Sequence, residues 1–209
     1  MPFDPTPHLA PAKCALILFE CQERIIGPGG PFRGLLEDLT EKRMVPKLAQ
    51  LLAAARAKGV LVVYCNMAFR PDGLGAPITP RGENSPKGPP GPGVASPVVA
   101  PLAPLASEVV IDRIQGMSAF TGTPLQAVLR ARNVETLILT GVSLNIGIPS
   151  SAVEALGNGY RVVVARDGAA GDPPSYARDV LKNTLNNLAY LTTCAEIAKA
   201  WGAPWTEPA

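Results

Sequence analysis

The sequence predicts an α/β fold, a three-layer sandwich in which helices cover both faces of a mainly parallel sheet of five or six strands. Short apolar runs of strand length, such as residues 14–19, 60–65 and 136–139, alternate with segments in which apolar residues recur at helical spacing. This alternation is typical of βαβ units, whose right-handed crossovers leave successive strands parallel. The 209 residues suffice for one domain around a single core.

Each strand is predicted from an apolar run bounded by glycine, proline or polar residues. In chain order the strands cover residues 14–19, 60–65, 108–112, 136–139 and 160–165, with a short sixth strand near residues 190–193. The helices are predicted over residues 35–58, 124–132, 152–159 and 175–187, and a terminal helix ends at Trp201. Pro46 suits a position near the start of the first helix, and Gly59 follows its end.

Two segments lie outside this alternation. Residues 1–12 carry several prolines and are predicted to be an extended N-terminal arm, which leaves residues 13–209 as the folded domain. Residues 71–104 are crowded with proline and glycine and show little periodicity. So long a loop inside a domain is usually functional, so we expect a lid or a subunit contact, and a plain mobile excursion is the alternative.

The composition excludes several classes of function. A net charge of +2 with no cluster of lysine and arginine argues against a nucleic-acid partner. No apolar run has membrane-spanning length and no signal peptide is recognisable, so we expect a cytoplasmic protein with no membrane partner. The single histidine, His8, leaves little material for a histidine-based metal site or catalytic triad, and no metal or cofactor is expected. The four cysteines are scattered, as reduced thiols of a cytosolic protein would be.

The segment from residue 140 to residue 152 is the most informative stretch of the chain. It joins the predicted strand at 136–139 to the following helix through small residues, with Pro149 suited to a first helical turn. A helix N-terminus presents free backbone N–H groups and the positive end of the helix dipole. Ligands of open α/β sheets bind beyond the carboxyl ends of the strands, so this turn suits a pocket floor. The alternative is an ordinary strand-to-helix connection.

Five sequence blocks occur in the order that a known family shows. They are Glu20-Cys21-Gln22, the basic residue Arg113, the Ser-Ala-Phe block at 118–125, Gly-Val-Ser at 141–143, and the pair 159–162 and 167–171. In these blocks the chain resembles the isochorismatase-like hydrolases of the cysteine hydrolase superfamily, from about residue 13 to residue 201. The resemblance implies a Rossmann-like sandwich, a small-molecule substrate and a homo-oligomer, either a dimer or a tetramer.

The resemblance also identifies three positions at which this chain departs from the family's amidases. The resemblance implies that those amidases share a cysteine nucleophile, an aspartate that takes its proton and a lysine that holds the aspartate ionised. In this chain Gly147 stands at the cysteine position, Glu20 at the aspartate position and Arg113 at the lysine position. Isochorismatases proper are similar to this chain in carrying glycine at the nucleophile position. Their reaction protonates a vinyl ether, after which water attacks the oxocarbenium ion and pyruvate leaves; it needs a proton donor rather than a nucleophile.

Each of these three residues has a catalytic and a structural interpretation. Glu20 follows an apolar strand, so it would be either a general acid in a dry pocket or a carboxylate paired with Arg113. Arg113 would orient Glu20, clamp a substrate carboxylate, or form an ion pair that is only structural. Gly147 and Ile148 would supply helix-end donors for an anion, unless the glycine only lets the turn close.

Further residues are predicted to bind substrate around this site. Ser143 and Asn145 lie on the same turn and would hydrogen-bond the ligand or a water, although both are common turn residues. Phe32 and Phe120 would wall an apolar pocket, unless they fill the core. Gln22 is included with them, and it would brace the loop of Glu20 through backbone hydrogen bonds.

The leading hypothesis is therefore a hydrolase of a small anionic metabolite that uses no cysteine nucleophile, with vinyl ether hydrolysis as the most concrete version. The first rival is a catalytically silent relative that binds a metabolite or a partner protein, because all three family positions have changed. The second rival is an amidase with a relocated thiol at Cys65, which lies at the carboxyl end of a predicted strand.

Overall fold

Six parallel strands form one sheet at the centre of the computed structural model, which describes residues 3–80, 83 and 95–208. The strands are β1 (Cys14–Phe19), β2 (Leu61–Met67), β3 (Val109–Arg113), β4 (Thr136–Val142), β5 (Arg161–Ala170) and β6 (Tyr190–Thr192). Their order in the sheet is β3-β2-β1-β4-β5-β6, which confirms the predicted α/β class and the parallel sheet. The strand order reverses between β1 and β4, and ligands of open parallel sheets bind beyond the strands at such a switch point.

Helices cover both faces of this sheet. Among the described residues the α-helices are α1 (Glu23–Ile26), α2 (Arg33–Glu41), α3 (Met44–Ala57), α4 (Leu125–Ala131), α5 (Gly147–Gly157), α6 (Pro174–Asp179) and α7 (Cys194–Ala200). Residues of α2, α3 and α7 pack in one core cluster, and residues of α4, α5 and α6 pack in the other. Within the described part of the chain, no helix is both long and apolar enough to cross a membrane.

Strand β1 shows how the sequence pattern builds these two cores. Leu16 and Leu18 point into the core shared with α3, whereas Ile17 and Phe19 point into the core shared with α5. Successive side chains of a strand face opposite sides of the sheet, so an uninterrupted apolar run is what a strand buried on both faces requires. All four side chains are at most 1% exposed. Glu20, which follows the carboxyl end of β1, therefore lies at the edge of a dry, close-packed interior.

The helix predicted over residues 35–58 is wrong as a single element. The structure has two helices there, α2 and α3, separated at Lys42 and Arg43, and Arg43 has a left-handed φ of 52°. Pro46 supplies the physical reason, because proline lacks the N–H that would bond the carbonyl of Lys42 and its ring clashes with that carbonyl. A further difference concerns the helix predicted at 152–159, which begins earlier, at Gly147.

The N-terminal arm is not extended as predicted. Residues Thr6–His8 and Pro11–Lys13 form two short 3₁₀ turns. Between them Leu9 is 3% exposed, and its carbonyl accepts a hydrogen bond of 2.9 Å from Nε1 of Trp201. The arm is thus fixed to the end of the chain by one apolar side chain and one indole hydrogen bond.

The proline- and glycine-rich segment at 71–104 is described at its two ends. Its second half returns to the core, where Val98, Val99 and Leu102 are buried, and Val98 forms a bridge with Gln22. Residues 81–82 and 84–94 lie outside the described residues. The lid or subunit contact predicted for this segment stays a prediction.

Gly141 provides a test of how β4 approaches β1. Its φ is +92°, and a Cβ at this position would lie 2.2 Å from the carbonyl oxygen of Phe19. We expect Gly141→Ala to lower the free energy of unfolding by about 1–3 kcal/mol, because alanine is strained at this φ and would force the two strands apart. Urea denaturation followed by circular dichroism measures the change.

Gly157→Ala is the matched control, because a Cβ there would meet nothing within 4 Å. It ends α5, so the substitution should leave stability unchanged or raise it by about 0.4–1 kcal/mol. Equal stabilities of the two variants would contradict the close approach of β4 to β1.

Candidate active site

The structure brings Glu20, Arg113 and Gly147 together at the carboxyl edge of the sheet. Glu20 follows β1, Arg113 is the last residue of β3, and Gly147 is the first residue of α5. The Nη2 group of Arg113 pairs with the Glu20 carboxylate, and its Nη1 group donates to the carbonyl of Gly116 at 3.0 Å. The ion pair considered from the sequence is therefore present, across the end of the intervening strand β2.

Arg113 is a buried cation with three kinds of partner. Its side chain is 3% exposed, and its Cζ atom lies 4.5 Å from the centroid of the Phe19 ring, in a cation–π contact. Burial lowers the pKa of Arg113 to about 10, so the guanidinium is still charged at neutral pH. Among the described residues, its buried Nε–H has no hydrogen-bond acceptor. One donor of a buried guanidinium is thus left for another group.

Glu20 differs from Arg113 in being reachable from solvent. Its side chain is 17% exposed, and its backbone has a left-handed φ of 52°. The backbone N–H of Glu20 donates to the carbonyl of Cys65 at 2.9 Å, which holds this conformation. A non-glycine residue in the left-handed region costs about 1–3 kcal/mol and is frequent at functional sites. The chain accepts this strain at the residue that presents a carboxylate beside Arg113.

The start of α5 supplies fewer donors than the sequence predicted. The N–H of Ile148 donates to the carbonyl of Ser143 at 3.0 Å, and its side chain is fully buried in the core. Ile148 is therefore not a substrate-binding residue, because its donor is used. In the described residues no backbone carbonyl accepts from the N–H of Gly147, so this group remains as the helix-end donor.

The two polar residues of the preceding turn have different roles. The amide nitrogen of Asn145 donates to the carbonyl of Asp172, and its Oδ1 accepts from the Asp172 N–H at 2.8 Å. Asn145 therefore clamps the turn after β5, and its contact with a substrate stays a prediction. Ser143 is half-buried, and its hydroxyl has no partner within the described ranges, so it keeps the predicted role as a proposal.

Gln22 is also engaged by the protein itself. It is 1% exposed, and its amide nitrogen donates to the carbonyls of Met67 and Ser96 at 2.9 and 3.0 Å. Its Oε1 accepts from the Met67 N–H at 2.7 Å. A buried amide with these partners braces the loop after β1, which is the role that the sequence suggested for Gln22. A contact between Gln22 and a substrate stays a prediction.

The two rings predicted to wall a pocket pack against cores on opposite faces of the sheet, which favours the alternative that they fill the core. Phe32 precedes α2 and packs against the core on the α3 side. Phe120 is 8% exposed in the core on the α5 side, with its ring centroid 6.2 Å from that of Tyr160. The sequence shows that both residues are apolar, but it does not show which face each loop reaches.

A polar network that the sequence did not reveal fixes the loop after β3 to α5. The Oγ of Ser118 donates to Glu154 at 2.5 Å, and the N–H of Ala119 donates to the Oγ of Ser151 at 3.0 Å. Ser151 in turn donates to the carbonyl of Gly147 at 2.7 Å. The signal was the spacing of residues 147, 151 and 154, which lie on one helical face.

A second overlooked cluster holds the end of β5. Asp38 is 1% exposed, and its Oδ2 accepts from the Lys42 ammonium at 2.7 Å and from the N–H of Gly171 at 3.0 Å. Lys42 also donates to the carbonyl of Ala169 at 2.9 Å. The i, i+4 spacing of aspartate and lysine was the available signal, but only the fold shows that the pair is buried.

The cysteines do not supply a replacement nucleophile. All four are buried, and Cys65 is fully buried in the core on the α5 side. Burial raises the pKa of Cys65 to about 12, and it does the same to Cys21. The reactive form of cysteine is the thiolate, and burial in apolar surroundings suppresses it. The relocated thiol considered from the sequence is therefore contradicted by its environment.

Two further observations concern the rest of the described chain. No group of three histidine, cysteine, aspartate or glutamate side chains lies in a metal-binding arrangement among the described residues. A surface cleft of about 500 Å³ lies at the opposite edge of the sheet, where the strands begin, lined by residues such as Lys13, Glu135 and Arg161. It contains none of the predicted site residues, so the chemistry-bearing groups lie at the other edge.

Comparisons with known proteins give a consistent picture. A family model described as the isochorismatase domain matches residues 14–196. A maleamate amidohydrolase from Pseudomonas putida is 33% identical over 162 residues, covering 74% of this chain and 71% of the relative. The ureidoacrylate amidohydrolase RutB of Methylobacterium radiotolerans is 27% identical over 231 residues, covering 100% of this chain and 88% of the relative. The similarity thus extends from β1 into α7.

Solved structures show the same similarity. An isochorismatase family protein from Burkholderia thailandensis has a TM-score of 0.76 and 28% identity, covering 92% of this chain and 97% of its own. An isochorismatase family protein from Desulfovibrio vulgaris has a TM-score of 0.75 and 28% identity, covering 91% and 98%. The fold and the sequence blocks therefore lead to the same group of proteins.

The environment of the cysteines predicts an unreactive native protein. At pH 8 a thiol with a pKa of about 12, such as Cys65, is ionised in about one molecule in ten thousand. We expect no cysteine to react with a thiol reagent such as DTNB within an hour, and all four to react after unfolding in guanidinium chloride. Rapid modification of one native thiol, accompanied by loss of any hydrolytic activity, would restore the relocated nucleophile.

Proposed function

We propose that this chain cleaves a small carboxylate-bearing metabolite by direct attack of water, without a covalent enzyme intermediate. The chain belongs to the isochorismatase family of hydrolases. One observation carries the proposal: Arg113, which is paired with Glu20, and Gly147, which begins α5, lie against the same Phe19 ring, and the described cysteines are all buried. The site therefore offers a proton-transfer group and cationic donors but no thiol.

Three groups are suited to binding the anionic part of the substrate. The buried Nε–H of Arg113 has no acceptor within the described chain, and a guanidinium binds carboxylates with directed hydrogen bonds. The N–H of Gly147 lies at the positive end of the α5 dipole. The Ser143 hydroxyl, on the turn before that helix, is a third candidate. Together these groups favour a substrate with one negative charge near an acyl or ether oxygen.

The ion pair favours a basic role for Glu20. A neighbouring guanidinium stabilises the ionised carboxylate, and an ionised carboxylate accepts a proton. In this form of the proposal Glu20 takes a proton from water, the water oxygen attacks an amide carbonyl carbon, and the N–H of Gly147 stabilises the oxyanion. Glu20 then returns the proton to the departing nitrogen as the C–N bond breaks. The relatives that are named amidohydrolases support this bond as the first candidate.

Vinyl ether hydrolysis is the second candidate, favoured by the glycine at position 147. It needs Glu20 in its acid form, which arises if the substrate carboxylate takes Arg113 as its partner and leaves Glu20 without a counter-charge. Glu20 would then protonate the methylene carbon, water would attack the oxocarbenium carbon and return a proton to the Glu20 carboxylate, and the resulting hemiketal would break its C–O bond to give pyruvate and the alcohol. The same three residues could thus hydrolyse either bond. Glu20 first accepts a proton in amide hydrolysis, whereas it first donates one in vinyl ether hydrolysis.

The proposal is tested by turnover of two substrates with separate readouts. Maleamate is assayed by ammonia release and isochorismate by pyruvate release, each with wild type and Glu20→Gln. We expect the variant to lose about a hundredfold or more of the rate, because glutamine neither donates nor accepts the proton. Glu37→Gln removes an exposed carboxylate of α2 and should leave the rate unchanged.

The pH dependence separates the two candidates. Turnover that rises with pH as Glu20 ionises identifies the base, whereas turnover that falls as Glu20 ionises identifies the acid. Retention of full activity by Glu20→Gln would exclude both. A small carboxylate that raises the melting temperature of wild type and variant equally, with no turnover, would instead identify the silent binding relative. A cytoplasmic location and a homo-oligomer stay predictions.

A further inference from the structure

The space that a side chain on Gly147 would occupy is filled by the ring of Phe19. A Cβ built on Gly147 would lie 2.5 Å from Cε1 of Phe19, 3.1 Å from its Cδ1 and 3.2 Å from its Cζ. A contact of 2.5 Å is well inside the van der Waals separation of two carbon atoms, about 3.5–4.0 Å. Any side chain at position 147 therefore collides with the ring of Phe19.

The ring of Phe19 has little freedom to move away. It is 1% exposed, at the end of the central strand β1. The guanidinium of Arg113 lies over it, and a Cβ on Gly141 would be 2.2 Å from the carbonyl oxygen of Phe19, so β4 passes very close to its backbone. Side chains in such close-packed interiors occupy defined rotamers and transmit strain when atoms are added.

We infer that Phe19 is a specificity-determining residue: its ring excludes a side-chain nucleophile from the start of α5 and so commits the site to chemistry by direct attack of water. The commitment to direct attack of water rests on the proposed function. The exclusion of a side chain by the Phe19 ring can be tested without a substrate. Phe19 and Gly147 form one unit, in which the glycine is required as long as the ring is present. A reactive thiol at position 147 then requires two substitutions, one at each position.

The first test is a double-mutant cycle with the smallest side chain. Gly147→Ala should lower the melting temperature by roughly 3–10 °C, because one methyl group overpacks the ring. In a Phe19→Val background, in which the ring is absent, the same substitution should cost less than a third of that shift. An equal shift in both backgrounds would overturn the coupling between the two positions.

The second test places a thiol at the position. Gly147→Cys, alone and with Phe19→Val, is treated with iodoacetamide, in which the thiolate displaces iodide and forms a thioether. The four native cysteines are buried, so wild type gives a low background. We expect the double variant to be alkylated at least tenfold faster than the single variant, because the smaller side chain lets the thiol reach the helix end, where thiolates are stabilised.

The outcomes distinguish this inference from the proposed function. Equal alkylation rates of the single and double variants would overturn the role of Phe19, whatever the substrate assays show. Should Gly147→Cys fail to fold, the alanine cycle still measures the collision. An inactive wild type with both expected results would leave the role of Phe19 intact and remove only the proposed reaction.

Discussion

The buried charge of Arg113 is the constraint around which this edge of the molecule is arranged. A guanidinium that is 3% exposed must be compensated, because an unpaired charge in a protein interior is very costly. Glu20 supplies the counter-charge, Gly116 supplies a carbonyl and Phe19 supplies the face of its ring. The left-handed conformation of Glu20 occurs where the chain must turn its carboxylate towards this cation.

Supporting residues keep the surrounding loops in place without entering the chemistry. Gln22 satisfies backbone groups of the loop after β2, Asn145 those of the turn after β5, and Asp38 the N–H of Gly171. The side chains of Gln22 and Asn145 hydrogen-bond to backbone groups, and Asp38 binds both a backbone N–H and the Lys42 ammonium. A half-buried carboxylate and a small number of unpartnered donors remain for a ligand. A site is preorganised when some residues fix the loops in this way and others are left to contact the ligand.

Much of this arrangement could be predicted from the sequence, because it follows from local patterns. Apolar runs and turn residues located all six strands, and the strand-to-helix turn placed Gly147 near a helix start. The family blocks brought Glu20 and Arg113 together. The sequence did not show which face of the sheet each loop reaches: Phe32 and Phe120 pack on opposite faces. The importance of Phe19 was hidden because it completes an ordinary apolar run, and its neighbours come from distant parts of the chain.

The burial of every cysteine protects the four sulfur atoms from oxidants in the surrounding solution. Oxidants such as peroxide attack exposed thiolates, and an enzyme that depends on one is inactivated when its sulfur becomes a sulfinic or sulfonic acid. Here the carboxyl edge of the sheet presents a glutamate, a guanidinium and backbone amides, and the four sulfur atoms of the cysteines are enclosed in the cores. The carboxyl edge therefore presents no cysteine thiolate for such an oxidant to attack.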